Sequence, residues 1–298
     1  MDALDMKLGD LTNTSSHSGT YAEIIKTLSL VDPDYDTLFL KKVYSDIVCL
    51  FKGEYPGYRA SNTKYHNLEH TCSVILATAR LIHGLHVQGQ IFSSRVIELG
   101  LVAALFHDTG LIQTKKEGGA GTGAQYTIGH EKRSIAFMGK YLTASGFSAE
   151  DITDCGHIIM CTTLTLPLSE IPFRSDEIRL MGKVLGSADL IAQMADRNYL
   201  EKLPLLFMEF KEARMSGFET PGELFKNTGK FYHSVVRARL AEEMDNVSSA
   251  ALFHFKKRWD IDRDLYAESI TNNMKYMKKI RKDCAENFDC LLKKVRRK

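Results

Sequence analysis

The stretch LGLVAALFHD, residues 99–108, sets the class of fold to expect. Its first eight residues are apolar on every side of a helix, so the helix that they predict should be buried. The stretch ends in adjacent His107 and Asp108, and burying an imidazole beside a carboxylate is costly unless a partner compensates both groups. A bound divalent metal would be such a partner. The alternative is a helix end that faces solvent.

The rest of the chain also has a helical pattern. Apolar residues recur at spacings of three and four, and the six prolines fall in apparent loops or near the ends of elements. Ser148 followed by Asp151 is a capping-box pattern. The sequence therefore predicts an all-α protein. Helices are expected at about 20–29, 36–52, 66–85, 93–107, 130–145, 149–163, 176–195, 197–215, 221–245 and 248–294, the last with a break near residue 270.

Composition indicates an ordinary globular chain of 298 residues, with 44% hydrophobic and 26% charged residues. Residues 1–19 are rich in Ser, Thr, Gly and Asp, which predicts a flexible tail before a single helical domain over 20–298. The net charge of +2 predicts no nucleic acid polymer as partner. No apolar run could span a bilayer, and the first twenty residues lack a signal-peptide pattern, so the expected compartment is the cytoplasm. The six cysteines are expected to be free thiols, and the oligomeric state stays open.

The segment YHNLEH, residues 65–70, contains the first candidate site residues. His66 and His70 are four apart, so on a helix they would share one face. Two such histidines could bind one metal, or one could be a ligand and the other a proton donor. Two unrelated surface or core histidines are the alternative.

The segment GSADLI, residues 186–191, contains the last of the set. Asp189 interrupts a helical stretch whose apolar face includes Ile178, Met181 and Leu185. One acid on such a face is often only capped or solvated. Here it completes an ordered set of four candidate metal ligands: His70, His107, Asp108 and Asp189.

This ordered set resembles the H…HD…D signature of the HD superfamily of metal-dependent phosphohydrolases, and in particular the catalytic domains of cyclic nucleotide phosphodiesterases. YHNLEH (65–70) is similar to their first motif, IMCTTL (159–164) to an apolar-Ala-Thr-Asp-Met run, and SADL (187–190) to their Ala-Asp-Leu metal motif. The resemblance covers roughly residues 60–215. It implies a compact multi-helix bundle of the HD-domain, phosphodiesterase-like type.

The resemblance also implies roles for the residues. The four ligands would hold a first divalent ion, and Asp108 would bridge to a second ion, with hydroxide between the two. His66 would protonate the leaving oxygen. Divalent ions neutralise a phosphodiester and lower the pKa of bound water, and the charge of a histidine changes near neutral pH. The metal could be Mg, Mn, Fe, Ni or Zn.

Three further residues extend the set toward two metals. His130 and His157, added to the first four, give six candidate ligands, which resembles the di-metal members of the superfamily. Glu131 could hydrogen-bond the bridging hydroxide. The alternatives are a surface histidine at 130, a neutral core histidine at 157 and a glutamate favoured by the helix dipole at 131.

The resemblance implies that the substrate is a small phosphorylated molecule, such as a cyclic or other nucleotide. The purine-clamping glutamine of the phosphodiesterases lies downstream of the last metal aspartate, whereas only Gln193 follows Asp189 here. A phosphomonoesterase, a di-iron oxygenase on the same fold and a non-enzymatic sensor stay open as alternatives. The Gly-rich segment 117–123 could be a lid or a solvated loop. The basic segment 275–298 could bind a membrane or partner, but is expected to pack on its own domain.

Overall fold

Apolar residues at helical spacing form thirteen α-helices over the described residues 5–117, 120–284 and 287–295 of this computed structural model. The helices are α1 (Leu8–Leu11), α2 (His17–Leu28), α3 (Leu38–Lys52), α4 (Leu68–Val87), α5 (Ser94–Phe106), α6 (His130–Ala144), α7 (Ala149–Met160), α8 (Asp176–Ala195), α9 (Tyr199–Glu212), α10 (Pro221–Phe231), α11 (Ala250–Trp259), α12 (Leu265–Asp283) and α13 (Phe288–Val295).

The core is built around α4, which is buried along most of its length and packs against α2, α5, α8 and α11. Two glycines let helices approach closely there. A Cβ atom on Gly84 would lie 1.9 Å from the carbonyl oxygen of Ala250, and one on Gly100 would lie 2.3 Å from the sulfur of Met181. These contacts hold α4 against α11 and α5 against α8, and so fix the helices that carry the candidate site.

The all-α prediction is confirmed. No strand occurs among the described residues, where a single antiparallel bridge joins Tyr58 and Thr114. The capping box at the start of α7 is also present, since the Ser148 side chain accepts from the backbone N–H of Asp151. No described helix combines the length and the apolar character needed to cross a membrane.

The C-terminal third differs from the prediction in where the helices break. The expected break near residue 270 is wrong, because α12 continues through that position. The chain breaks at Asp260, whose backbone is left-handed (φ 54°), and α12 restarts where Asp264 accepts a hydrogen bond from the N–H of Ala267. After α10, the turns Tyr232–Val236 and Arg239–Glu243 are π-helical.

The N-terminal segment, predicted as a flexible tail over 1–19, contains helix α1 and the start of α2 among its described residues. It also contacts residues far along the chain: Arg263 donates to the carbonyl of Met6 at 3.0 Å, and Ser15 donates to Glu69 at 2.8 Å. Charged and polar groups far along the chain therefore anchor the segment. Residues 1–4 lie outside the described part.

The expectation of six free thiols is wrong for one pair. Cys284 and Cys290 form a disulfide, with their Cα atoms 5.5 Å apart. Cys49, Cys72, Cys155 and Cys161 are free. The described part of the basic C-terminal segment packs on its own domain as expected, through the buried side chains of Met277, Ile280, Leu291 and Val295. Residues 285–286 and 296–298 of this segment lie outside the described part.

A buried pair of histidines lies between α4 and α11. The Nδ1 atoms of His83 and His254 are 3.0 Å apart, and both side chains are almost fully buried. Burial is the main cause that lowers the pKa of His83 to about 4 and that of His254 well below its usual value, and the positive charge of Arg258 lowers both further. The pair is therefore neutral at pH 7, with one ring donating to the other.

We expect this pair to make stability depend on pH. Below about pH 6.5 the two histidines bind protons in the unfolded chain but stay neutral in the folded protein. The stability of the folded protein therefore falls as the pH drops toward 4. For His83 the loss at pH 5 is about 2 kcal/mol. Urea unfolding at pH 7 and pH 5 should show a smaller loss in the double variant His83→Leu/His254→Leu. An equal loss in wild type and variant would contradict this. His233→Leu, at an exposed histidine away from the pair, is the control.

Candidate metal centre

The first part of the site is the start of α4. The helix begins at Leu68, not at residue 66, because the side chain of Asn67 accepts the backbone N–H of His70 at 3.0 Å and caps it. The expectation that His66 and His70 share one helix face is therefore wrong. His66 lies in the turn before the helix, and its ring centroid is still 5.9 Å from that of His70.

The second part is the end of α5. His107 and Asp108 are 1% and 3% exposed, so the solvent-facing alternative for this pair does not hold. Ser134 on α6 fixes the helix end: its hydroxyl donates to the carbonyl of His107 at 2.6 Å and accepts the N–H of Gly110 at 2.8 Å. The structure thus buries an imidazole and a carboxylate and holds their backbone from a second helix.

Four of the predicted ligands converge at one point. His70, His107 and Asp108 are buried and have ligand atoms that all lie within 4.8 Å of one another, a group that could hold a metal ion. The Nε2 atoms of His70 and His107 are 3.4 Å apart, and each is within 3.5 Å of Oδ2 of Asp108. Oδ1 of Asp189, from α8, lies 3.1 Å from Nε2 of His70.

These residues fit a metal ion. Atoms that bind one ion at about 2.0–2.2 Å lie about 3 Å apart from each other, which matches the spacing found here. Oδ2 of Asp108 is buried and accepts no hydrogen bond from the described residues. Nδ1 of His107 donates to the carbonyl of Ala104 at 2.8 Å, which leaves the lone pair of Nε2 facing the group.

The electrostatics of the group also favour a cation. Burial opposes charge on His107, yet the Asp108 carboxylate raises the pKa of that imidazole to about 9. Burial likewise opposes charge on Asp108, yet the neighbouring histidines hold its pKa well below the usual value. The charged carboxylate thus needs positive partners, and a metal ion would replace the protons on the imidazoles.

Of the residues predicted for a second metal, His130 lies at the site. Its Nε2 is 3.2 Å from Oδ1 of Asp108, and its Nδ1 donates to the carbonyl of Thr127 at 2.8 Å. Asp108 thus presents one oxygen to His130 and the other to His70 and His107. Glu131 contacts the Nδ1 edge of His130 at 3.5 Å.

His157 lies apart from this group. Its ring packs near Phe173, with centroids 6.2 Å apart, and the charged groups that affect it are Asp154 and Arg174. None of its described contacts reaches a residue of the metal group. Its role as a ligand therefore stays a prediction without geometric support.

One site residue was missed in the sequence. Glu209 on α9 is buried, and its carboxylate accepts the Nδ1–H of His66 at 2.6 Å and the backbone N–H of Tyr65 at 2.7 Å. Burial alone would lower the pKa of His66, but the hydrogen bond to Glu209 and the charge of Asp108 raise it. The only local signal in the sequence was an acid between two apolar residues, Met208 and Phe210. Such a pattern does not indicate a partner that lies 143 residues away.

The Gly-rich segment 117–123, predicted as a lid or a solvated loop, contains residues 118–119, which lie outside the described part. Residues on both sides of these two form hydrogen bonds with helices of the bundle. Glu117 accepts from Arg133 at 2.9 Å. Thr122 donates its hydroxyl to Glu212 of α9 at 2.7 Å. The segment thus connects α6 with the helix that carries Glu209.

We expect a divalent metal ion to stabilise the folded protein by binding to the group of His70, His107 and Asp108. Mn²⁺ or Zn²⁺ added to chelator-treated protein should raise the melting temperature, because an ion that binds only the folded state stabilises it. His107→Ala should abolish the rise and the bound metal found by elemental analysis. His86→Ala, another histidine outside the group, should keep both. An equal rise and equal metal content in the His107 variant would contradict the assignment.

Comparison with known proteins places the chain in a family without naming an activity. A family model described as Npun_R2479-like matches residues 34–252, well over half of the chain. The matched part contains every residue of the metal group together with His66 and Glu209. No curated protein matches the chain. By this match, the chain belongs to the Npun_R2479-like family.

Proposed function

We propose that this chain is a metal-dependent phosphohydrolase of the HD type that cleaves a phosphodiester in a small phosphorylated molecule, such as a nucleotide. The observation that carries the proposal is the Glu209–His66 pair beside the buried group of His70, His107 and Asp108. A metal group alone suits many reactions. A carboxylate-held histidine next to it suits protonation of a leaving oxygen.

His66 is oriented for proton donation. Glu209 accepts its Nδ1–H, which leaves Nε2 available to donate to a substrate. The His66 ring lies beside the rings of His70 and His130, at centroid distances of 5.9 and 6.3 Å. The raised pKa favours the protonated imidazole near neutral pH. Such positioning by a buried carboxylate sets both the tautomer and the direction of the proton.

The ligands for metal would be His70, His107, Asp108 and Asp189, with His130 on the second oxygen of Asp108. When bound, divalent metal supplies neutralisation of the phosphate charge and water of lowered pKa. The chain's own residues position the site. Asp108 directs one carboxylate oxygen to His107 and the other to His130, and Ser134 holds the backbone of His107 in place. Oxygenation, the alternative chemistry for such ligands, has no leaving oxygen for His66 to protonate.

The first test is hydrolysis of bis(p-nitrophenyl) phosphate by metal-stripped protein with added Mn²⁺ or Mg²⁺. We expect metal-dependent release of nitrophenolate. Asp108→Ala should lower the rate on the order of 10³-fold, since it removes several kcal/mol of charge stabilisation. Asp176→Ala, at an exposed aspartate of α8, is the matched control. No turnover of this diester with any of the metals considered would sink the diesterase proposal, and phosphomonoesters and oxygen uptake would be measured next.

The second test separates proton donation from metal binding. His66→Asn and Glu209→Gln should slow cleavage of a diester with an alkyl leaving group by about 10²-fold or more, the usual contribution of a general acid. Cleavage that releases nitrophenolate should fall much less, because this good leaving group needs little protonation. Bound metal, measured in each variant, should be unchanged. Glu201→Gln on the same helix is the control. Equal losses on both substrates would rule out the assigned role.

A further inference from the structure

A largely buried ammonium group joins three helices of the candidate site. Nζ of Lys202, on α9, lies 3.1 Å from Oε2 of Glu69 on α4 and 2.6 Å from Oδ2 of Asp196, the C-cap of α8. The Lys202 side chain is 19% exposed, and a lysine is rarely buried deeply unless it is paired. Burial opposes the charge of this ammonium group, but the charges of Asp196 and Glu69 raise its pKa, so it is protonated at pH 7. We call these three residues the lysine bridge.

Two residues of the lysine bridge are close in sequence to residues of the site. Glu69 precedes His70, and Lys202 is seven residues before Glu209. Seven residues are about two turns of a helix, so Lys202 and Glu209 lie on the same side of α9. Glu209 contacts the turn that precedes α4, and Lys202 contacts the first turn of α4. Helix α9 therefore holds the start of α4 at two points.

Helix α9 depends on such anchors, because its own hydrogen bonds are interrupted. Pro204 lies inside α9, between Lys202 and Glu209. Proline has no N–H, so the helix loses the hydrogen bond to the carbonyl of Leu200 and is weakened at this point. Helix α9 also packs mainly on α10 and only weakly on α4. Polar contacts rather than apolar packing therefore set the position of α9 relative to the start of α4.

The lysine bridge and the metal group share the wall of a small cavity. Lys202 and Asp196 line it together with Tyr65 and the candidate ligand His70. Its volume is about 20 Å³, which is room for roughly one water molecule. Because closely packed side chains transmit displacement, a shift of Lys202 would reach Tyr65, the neighbour of His66.

We propose that Lys202 is a positioning residue for the proton donor. By binding Glu69 and Asp196 together, it fixes α9 against α4 and α8, and so holds the Glu209 carboxylate against His66. The distance from Nδ1 of His66 to this carboxylate is 2.6 Å, and such a hydrogen bond is lost beyond about 3.5 Å. This inference rests on the proton-donor role proposed for His66. A bridge that only stabilised the fold would affect every reaction of the protein equally.

The test is a double-mutant cycle with Mn²⁺ present, on a diester with an alkyl leaving group and on bis(p-nitrophenyl) phosphate. Lys202→Met should slow cleavage of the alkyl diester about tenfold or more, because a misplaced general acid loses much of its contribution. Release of nitrophenolate should change much less. In a Glu209→Gln background, Lys202→Met should cause no further loss, because it acts through Glu209. Lys211→Met, at an exposed lysine of the same helix, is the matched control.

A measurement that does not depend on activity separates this inference from the proposed function. Proton NMR of the wild type should show a far-downfield Nδ1–H signal from the short hydrogen bond of His66, identified by its loss in His66→Asn. The signal should disappear or move upfield in Lys202→Met and persist in Lys211→Met. If the wild type hydrolysed no diester, the proposed function would fail and this signal would still decide whether Lys202 positions His66.

An unchanged Nδ1–H signal in Lys202→Met would overturn the inference. Equal losses on both substrates would do the same, and so would losses that multiply in the double variant. Circular dichroism and bound metal are measured for every variant. If Lys202→Met does not fold, Glu69→Gln takes its place in the cycle, since this side chain is 31% exposed, with a smaller loss expected in the same direction.

Discussion

The burial of Asp108 is the constraint on which the rest of the site depends. A carboxylate that is 3% exposed at the end of an apolar helix would be strongly destabilising without positive or donating partners. The partners are histidines: His107 at the same helix end, His70 from α4 and His130 from α6. The packing of these helices around α4 is thus inseparable from the chemistry at their ends.

A second set of contacts holds the residues of the metal centre in position. The carbonyls of Ala104 and Thr127 set the tautomers of His107 and His130, and Ser134 joins the end of α5 to α6. Glu209 does the same for His66 from α9. Supporting partners of this kind orient ligands and proton donors, so α6 and α9 contribute as much to the site as the helices that carry its ligands.

The metal centre lies where buried helix ends meet, and its charges are balanced by one another. A side chain ties α12 to the helix that carries Asp189: the Asn273 amide donates to the backbone carbonyls of Met194 and Asp196, at the end of α8. This contact explains how α12 keeps its place beside α8.

The sequence by itself determined the helical class and the burial of the 99–108 helix, because apolar periodicity is a local signal. His70, His107, Asp108, Asp189 and His130 were singled out by the resemblance of their order to a known signature. The sequence placed the start of α4 two residues early, since the capping by Asn67 depends on a backbone geometry that spacing does not show.

Only the tertiary structure decided that Glu209 holds His66, that His157 lies with Phe173, and that Cys284 pairs with Cys290. The physical reason is the same in each case. A contact between distant or folded-back segments depends on how helices pack, and hydrophobic periodicity states which face is buried without stating which partner it meets.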